Sequence, residues 1–275
     1  MILRFKFLSR WPLWALQALG WILGWLTFLG SSSYRQRLLA NAKLAGQSGS
    51  VWASVGQAGC LVGEAPKLWW GVLPHCEWVG AEQLAQAHAE GRGILFLTPH
   101  LGCFEMAPQA FARDFGARLG AITILYRPSR HEGLAQVLAT ARQRAFLKTA
   151  TTTLAGVRQM LKALRAGEAV GLLPDQVPPA GLGMWAPFFG QPAYSMTLAA
   201  RLAQQTGAAV VLAAVERLSW AKGYRIHLSG LTEPLSADLD LAVQQINHEM
   251  EHLIRQYPKQ YLWAYNRYKS PRTEG

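Results

Sequence analysis

The stretch GILFLTPHLGCFEMAPQAF, residues 93 to 111, decides the fold that we predict for this chain. It runs apolar from Ile94 to Leu97, turns at Thr98-Pro99 and continues with helical periodicity, as a buried strand leading into a helix does. His100 and Glu105 stand five residues apart in this otherwise apolar segment. Residues five apart on one helix diverge by about 140°, so the histidine must precede the helix if the two side chains are to meet. We therefore predict His100 in the loop and Glu105 in the first turn of a helix that begins near residue 103.

A carboxylate that reaches one imidazole nitrogen holds the tautomer and leaves the other nitrogen free as a general base. Two alternatives stay open on the residues alone. His100 is a capping or core histidine beside an ordinary first-turn glutamate, or Cys103 is a nucleophile that pairs with His100.

The rest of the chain alternates short apolar runs with amphipathic stretches. The strand-like runs are GILFLT, GAITILY, EAVGLLP, GAAVVLAAVE and GYRIHLSG, and the helical stretches are 81–91, 104–115, 131–148, 153–166, 195–206 and 238–256. A mostly β-then-α order predicts an α/β fold with a central, largely parallel sheet flanked by helices. We expect a membrane anchor over 1–30 and a single domain over 31–275, with a helical lead-in at 31–75 and an α/β core at 76–275.

Residues 11 to 30, WPLWALQALGWILGWLTFLG, carry no charge. Twenty residues in a helix extend about 30 Å, the thickness of a bilayer's hydrocarbon core. Trp11, Trp14, Trp21 and Trp25 share roughly one helical face, and indole prefers the headgroup region, which favours tilted or partial insertion. The alternatives are a cleaved signal peptide and a buried core helix. Basic residues flank both ends, so they do not orient the segment.

The net charge of +11 is concentrated in two blocks. Residues 1–63 contribute six basic and no acidic side chains, and residues 126–165 contribute eight basic side chains against Glu132. Such patches attract anionic lipid, acidic protein or nucleic acid, but no groove-entering motif accompanies them, and we expect no nucleic-acid partner. Three cysteines without a CxxC pair predict neither a disulfide framework nor a structural zinc site.

HLGCFE resembles the H-x4-D/E signature of the glycerolipid and lysophospholipid acyltransferases. Together with ILYRPSRHEGLAQVLATARQR, GLLPDQVPPAGLGMWAPFFGQPAYSMTLAARLA and QYLWAYNRYKSP, in that order, the chain is similar to the bacterial lipid A late acyltransferases, the lauroyl and myristoyl transferases of the inner membrane. This resemblance covers essentially the whole chain. It implies a glycerolipid acyltransferase-like fold and a catalytic domain on the cytoplasmic face.

The resemblance also implies roles. His100 deprotonates a hydroxyl of a lipid A precursor, Glu105 supports it, and the hydroxyl attacks an acyl thioester on acyl carrier protein. A hydroxyl needs a base, whereas a thioester reacts without a metal, so we expect no metal and no cofactor. Arg127 of YRP is expected to hold a lipid phosphate. Asp175 and Gln176 of PDQ are expected to bind substrate, although Asp175 fits equally well as a partner of Arg127 or as an Asx turn before Pro178 and Pro179.

We further predict that Arg142, Arg144 and Lys148, placed on the helix after the YRP turn, steer the acidic carrier protein. PFFG, residues 187 to 190, is predicted to be wall and turn. The competing functions are acyl transfer to another phospholipid or glycolipid, and lipid binding at the membrane surface without catalysis.

Overall fold

The computed structural model describes residues 2–126 and 144–272. The helices are α1 (Ile2–Leu8), α2 (Leu13–Gly30), α3 (Ser32–Leu44), α4 (Val51–Trp70), α5 (Glu82–Ala89), α6 (Met106–Asp114), α7 (Gly116–Leu119), α8 (Leu154–Arg165), α9 (Leu198–Thr206) and α10 (Leu239–Gln256). The strands are β1 (Cys76–Val79), β2 (Ile94–Leu97), β3 (Ile122–Tyr126), β4 (Leu147–Thr151), β5 (Ala169–Leu172), β6 (Gly183–Phe188), β7 (Gln191–Met196), β8 (Ala209–Arg217) and β9 (Tyr224–Ser229). Short 3₁₀ turns lie at Ser48–Ser50, Ser219–Ala221 and Pro258–Gln260.

Among the described residues, seven strands form one sheet in the order β1-β9-β8-β2-β5-β3-β4, and β6 and β7 form a separate two-stranded sheet. Every neighbouring pair in the seven-stranded sheet is parallel except β8 and β9, which are antiparallel. The predicted mostly parallel α/β sheet is therefore confirmed. β2 is buried at all four positions and pairs in register with β5 and β8, as expected for the continuous apolar run of a central parallel strand.

This topology brings two of the candidate site residues to one edge of the sheet. β2 and β5 are parallel neighbours, so their carboxyl ends meet at the same edge of the sheet. His100 follows β2 by three residues, and Asp175 follows β5 by three residues. Open α/β sheets place ligand-binding groups at this edge.

The prediction of a helix over 131–148 is wrong at the C-terminal end of that range. Leu147–Thr151 form β4, an edge strand that pairs in parallel with β3, and residues 131–143 lie outside the described ranges. Leu147 and Ala150 are buried, while Lys148 is exposed, because pairing with β3 gives this short segment a partner that local periodicity cannot reveal.

The helix predicted over 195–206 begins late, because residues 195 and 196 end the antiparallel hairpin β6–β7. β1 and this hairpin were not predicted. The hairpin turns at Phe189 and Gly190, which have φ of 47° and 72°, so both central residues are left-handed as a two-residue primed turn requires. The prediction of PFFG as a turn is confirmed.

The N-terminal region is helical, as predicted. α2 packs closely on α4, where a Cβ added to Gly59 would lie 2.0 Å from the carbonyl oxygen of Gly20. α2 is long and apolar enough to cross a membrane by length and composition, and 22% of its 18-residue window is buried inside the protein. Trp14 and Trp21 are exposed, whereas Trp25 stacks on Trp52 of α4 with ring centroids 6.3 Å apart. One side of α2 thus contacts protein, and the other presents large apolar side chains.

Candidate active site

His100 lies in the loop between β2 and α6, and its ring is 18% exposed. Its Nδ1 lies 2.7 Å from Oδ1 of Asp175, and its backbone N–H donates to Oδ2 of the same carboxylate at 2.9 Å. One aspartate therefore holds both the imidazole and the main chain of His100. Within the described ranges, no hydrogen bond engages Nε2, the nitrogen that would meet a substrate.

Asp175 is 1% exposed and ionised. Burial alone would raise the pKa of its carboxyl, but the charge of His100 and the two hydrogen bonds from that residue outweigh burial and lower the pKa, with a further contribution from Arg267. A buried carboxylate on Nδ1 fixes the tautomer that leaves Nε2 as the acceptor, and it stabilises the imidazolium that forms when Nε2 takes a proton.

Backbone hydrogen bonds to two other segments hold the loop that carries His100. The carbonyl of His100 accepts from the N–H of Leu262 at 3.1 Å, and the N–H of Gly102 donates to the carbonyl of Gln260 at 2.9 Å. The N–H of Cys103 donates to the carbonyl of Val215 at 3.2 Å. Gly102 has φ of +58°, and an added Cβ would lie 1.7 Å from the Val215 oxygen, so the loop requires glycine here.

Two residues of the C-terminal segment complete the surroundings of Asp175. Tyr261 is buried beside Asp175; burial, followed by the charge of this neighbouring carboxylate, raises the pKa of Tyr261 well above the usual range. Arg267 is 3% exposed and donates to the carbonyl of Tyr194 at 2.8 Å and to Oγ of Ser195 at 2.7 Å. Neither residue was predicted to belong to the site, although both lie in the segment QYLWAYNRYKSP.

Glu105 is the residue immediately before α6 and lines a cavity together with Phe104. Its Oε2 accepts from the indole Nε1 of Trp69, at the end of α4, at 3.3 Å. The ring of Phe104 contacts the ring of His100 with centroids 4.9 Å apart, so the cavity begins beside the imidazole. In the structure, Nδ1 of His100 pairs with Asp175. The support of His100 by Glu105 stays a prediction.

The cavity lies between α6 and one face of the sheet, and its empty volume, including its open mouth, is about 630 Å³. Its wall is apolar apart from Thr98 and Glu105. Side chains from four strands form much of that wall, namely Phe96, Ile122, Ile124, Ala213, Ile226 and Leu228. Gly171 of β5 leaves space in the middle of the sheet face, because an added Cβ there meets nothing closer than Ile124 at 3.4 Å. A slot of this size and polarity is suited to a small apolar ligand or chain.

Cys103 is fully buried. Burial raises the pKa of its thiol well above the usual range, with the nearby Glu64 carboxylate acting in the same direction. A thiol without access to solvent and without a depressed pKa is a poor nucleophile, which argues against the cysteine alternative.

The remaining predicted site residues fall in several places. Arg127 and Arg142 lie outside the described residues. Gln176 is half-buried next to Asp175. Arg144 is half-buried and donates to the carbonyls of Leu68 and Gly71 at 2.9 and 3.1 Å, which caps the end of α4. Burial lowers the pKa of its guanidinium.

Lys148 is exposed on β4 and pairs with Glu168, its Nζ lying 3.0 Å from Oε1. The three cations therefore do not share the helix that was predicted for them, because residue 148 belongs to a strand. Among the residues that the structure describes, no group of three or more His, Cys, Asp or Glu side chains is arranged to hold a metal ion.

A mostly parallel sheet with a histidine and an aspartate at adjacent carboxyl ends, preceded by an apolar helix, defines an α/β fold of the glycerolipid acyltransferase type. Residues 50–270 match the bacterial lipid A biosynthesis acyltransferase family, and the chain belongs to that family.

Individual relatives agree with this membership. The chain is 29% identical over 201 residues to the lipid A biosynthesis lauroyltransferase of Escherichia coli strain K12, covering 72% of this chain and 63% of the relative. It is 27% identical over 192 residues to the palmitoleoyltransferase of the same organism, covering 70% and 60%. It is 28% identical over 189 residues to a lipid A biosynthesis acyltransferase of Haemophilus influenzae, covering 68% and 57%. The matched region thus spans about three fifths of the length of these relatives.

Proposed function

We propose that this chain is a membrane-associated O-acyltransferase that moves a fatty acyl chain from the thioester of acyl carrier protein to a hydroxyl of a lipid A precursor. The observation that carries the proposal is the His100–Asp175 pair, whose free imidazole edge opens beside an apolar cavity. Family membership and the names of the relatives support the acyl transfer and the class of acceptor.

In the proposed reaction, Nε2 of His100 takes the proton of the acceptor hydroxyl as its oxygen attacks the thioester carbonyl. The carbon–oxygen bond forms, the carbon–sulfur bond breaks, and the imidazolium returns the proton to the departing thiolate of the carrier. Asp175 stabilises the imidazolium and fixes its orientation. The chemistry needs no metal, since a thioester is already reactive.

Glu105 is the second acidic group of the proposal. Its carboxylate lines the cavity, and a negative charge there favours the positive charge that develops on His100 in the transition state. The Trp69 indole fixes the position of that carboxylate. The donor's acyl chain occupies the cavity with its thioester end towards Phe104 and His100.

The carrier protein is strongly acidic and needs a positive docking surface. Lys148 contributes to such a surface, and we retain Arg127, Arg142 and Gln176 as proposed contacts to phosphate, carrier and acceptor. Arg158, Lys162 and Arg165 are exposed on α8, which packs beside β4, and their spacing of four and three residues places them on one helical face. Because the carrier is cytoplasmic, the catalytic domain is proposed to face the cytoplasm from the inner membrane.

The decisive experiment compares purified full-length wild type, His100→Ala, Glu105→Gln and His88→Ala with an acyl carrier protein thioester and a panel of lipid acceptors. We expect His100→Ala to lose about 10²- to 10⁴-fold in kcat and Glu105→Gln about 10²-fold, while His88→Ala, on the exposed face of α5, stays at the wild-type rate. Product masses report the acceptor and the acyl length together. Transfer only to other phospholipids or glycolipids would move the proposal to that acceptor class. Wild-type turnover in folded His100→Ala would leave the non-catalytic lipid-binding function.

A further inference from the structure

A second buried charged group lies where the N-terminal helices meet the sheet. Arg217 ends β8, and Glu64 lies in α4; both are nearly or fully buried. The guanidinium binds the carboxylate through two bonds, Nε to Oε1 at 2.6 Å and a terminal nitrogen to Oε2 at 2.7 Å. Its other terminal nitrogen donates to Oε1 of Gln57 at 2.6 Å.

The same guanidinium reaches the histidine loop. A terminal nitrogen of Arg217 donates to the carbonyl of Gly102 at 3.3 Å. The Gln260 side chain brackets the backbone of Arg217, accepting from its N–H at 2.8 Å and donating to its carbonyl at 3.0 Å. The main-chain carbonyl of Gln260 accepts the Gly102 N–H. The N–H and the carbonyl of Gly102, two residues after His100, are therefore both bound by the connected residues Arg217 and Gln260.

Glu64 has a second partner, on the apolar helix. Nε2 of Gln17 donates to its Oε1 at 2.7 Å. Gln17 and Thr27 are the clearly polar side chains of residues 11–30. The close glycine contact between α2 and α4 brings Gln17 to this position. A continuous chain of hydrogen bonds thus runs from α2 through Glu64 and Arg217 to the loop that carries His100.

Stability alone does not account for this pair. Desolvating two charges offsets most of their attraction, and apolar side chains of similar size generally stabilise a core equally well. Burial would lower the pKa of Arg217, but the attraction and hydrogen bonds of Glu64 outweigh burial and raise it, so the guanidinium stays charged. What the pair provides, and an apolar pair would not, is directed hydrogen bonding to Gly102 and to Gln17.

We propose that Glu64 and Arg217 are positioning residues that hold the His100 loop through Gly102, and that the seating of α2 on α4 tunes turnover through Gln17. The expected effect on turnover rests on the proposed function, whereas the positioning of the His100 loop does not.

The test uses the full-length protein in detergent and two variants. Gln17→Leu removes the α2 link and keeps the helix apolar. The double variant Glu64→Met with Arg217→Met replaces the pair by apolar side chains and avoids leaving one buried charge unpaired. Thr27→Val is the matched control on α2, because the Thr27 hydroxyl bonds locally to the Leu23 carbonyl. The measurements are kcat, KM for both substrates, Tm, and hydrogen exchange of the peptide spanning 98–106.

We expect Gln17→Leu to lower kcat about 3- to 10-fold with KM nearly unchanged, and to speed exchange in 98–106. The double variant should lower kcat on the order of 10²-fold, since small displacements of a catalytic group have effects of that size. A purely structural pair would change Tm but leave kcat per folded molecule and loop exchange at wild-type values.

Wild-type kcat and exchange in Gln17→Leu would overturn the α2 link, and the same result in the folded double variant would overturn the positioning role. Should the double variant fail to fold, exchange of the 98–106 peptide in Gln17→Leu decides: faster exchange supports positioning of the loop through Glu64 and Arg217, and wild-type exchange overturns it. Should the wild type show no acyl transfer, exchange alone decides: faster exchange in the variants supports loop positioning, and unchanged exchange overturns it.

Discussion

Asp175 binds His100 twice, with Oδ1 lying 2.7 Å from Nδ1 of the ring and Oδ2 accepting the backbone N–H at 2.9 Å. A carboxylate that holds both the ring and the main chain leaves the imidazole little freedom to rotate. It also determines which nitrogen carries the proton in the neutral ring. In the proposed mechanism, the action of His100 as a base therefore depends on Asp175.

The first prediction concerns this carboxylate. Asp175→Asn keeps the size of the side chain but removes its charge and allows an amide N–H to face Nδ1, which favours the wrong tautomer. We expect kcat to fall by about 10²- to 10⁴-fold with KM for the lipid nearly unchanged. Steady-state kinetics on the purified variant measures this, with Asp240→Asn on the exposed start of α10 as the control. An Asp175→Asn enzyme with wild-type kcat would contradict the role.

The second prediction concerns stability in acid. The folded-state pKa of Asp175 is lowered, so the folded protein binds this proton less tightly than the unfolded chain does. Its contribution to the free energy of unfolding is present above the ordinary aspartate pKa of about 3.9 and is lost as pH falls through the folded pKa. We expect the stability difference between wild type and Asp175→Asn to shrink below about pH 4 in urea titrations. A difference independent of pH would show that the carboxylate titrates alike in both states.

The third prediction concerns Gly171, whose missing side chain leaves part of the cavity open. In the series Gly171→Ala, Gly171→Val and Gly171→Met, the growing side chain should shorten the acyl chain that the enzyme prefers. Each methylene that no longer fits loses about 0.8 kcal/mol of burial. Competition between thioesters of graded length, read by product mass, measures the preference. Gly49→Met is the control, because an added Cβ there meets nothing within 4 Å. An unchanged preference across the series would place the acyl chain elsewhere.

Local pattern was enough to predict the part of the site that lies within one segment. The buried run before His100 and the turn at Thr98-Pro99 placed the histidine at the end of a strand, as observed. Its partner could not be found in that way, because Asp175 is 75 residues away and meets His100 through the pairing of β2 with β5. Strand order is set by tertiary packing, which periodicity does not encode.

The errors have the same origin. Residues 147 and 148 of β4 were predicted as the end of a helix because residues 147–151 gain their strand character from β3. The hairpin β6–β7 was missed because its strands pair with each other outside the main sheet. Arg144 was counted among exposed cations, although it caps α4 more than 70 residues earlier in the chain. Charge counts along a sequence do not distinguish a capping cation from a docking one.

The last prediction concerns the exposed side of α2. Trp14 and Trp21 are 65% and 47% exposed, although the ring of Trp21 also packs over Gly56 of α4, and indole side chains favour the bilayer interface. The double variant Trp14→Glu with Trp21→Glu should weaken binding to anionic phospholipid vesicles by about tenfold or more, because it replaces two interfacial anchors with charges that the lipid surface repels. Vesicle flotation measures the bound fraction.

Trp185→Glu is the matched control, since Trp185 is equally exposed but lies on the hairpin β6–β7. The double variant should also lose more activity on acceptor held in vesicles than on acceptor dispersed in detergent. Equal binding of the double variant and the control would show that α2 does not carry the membrane contact.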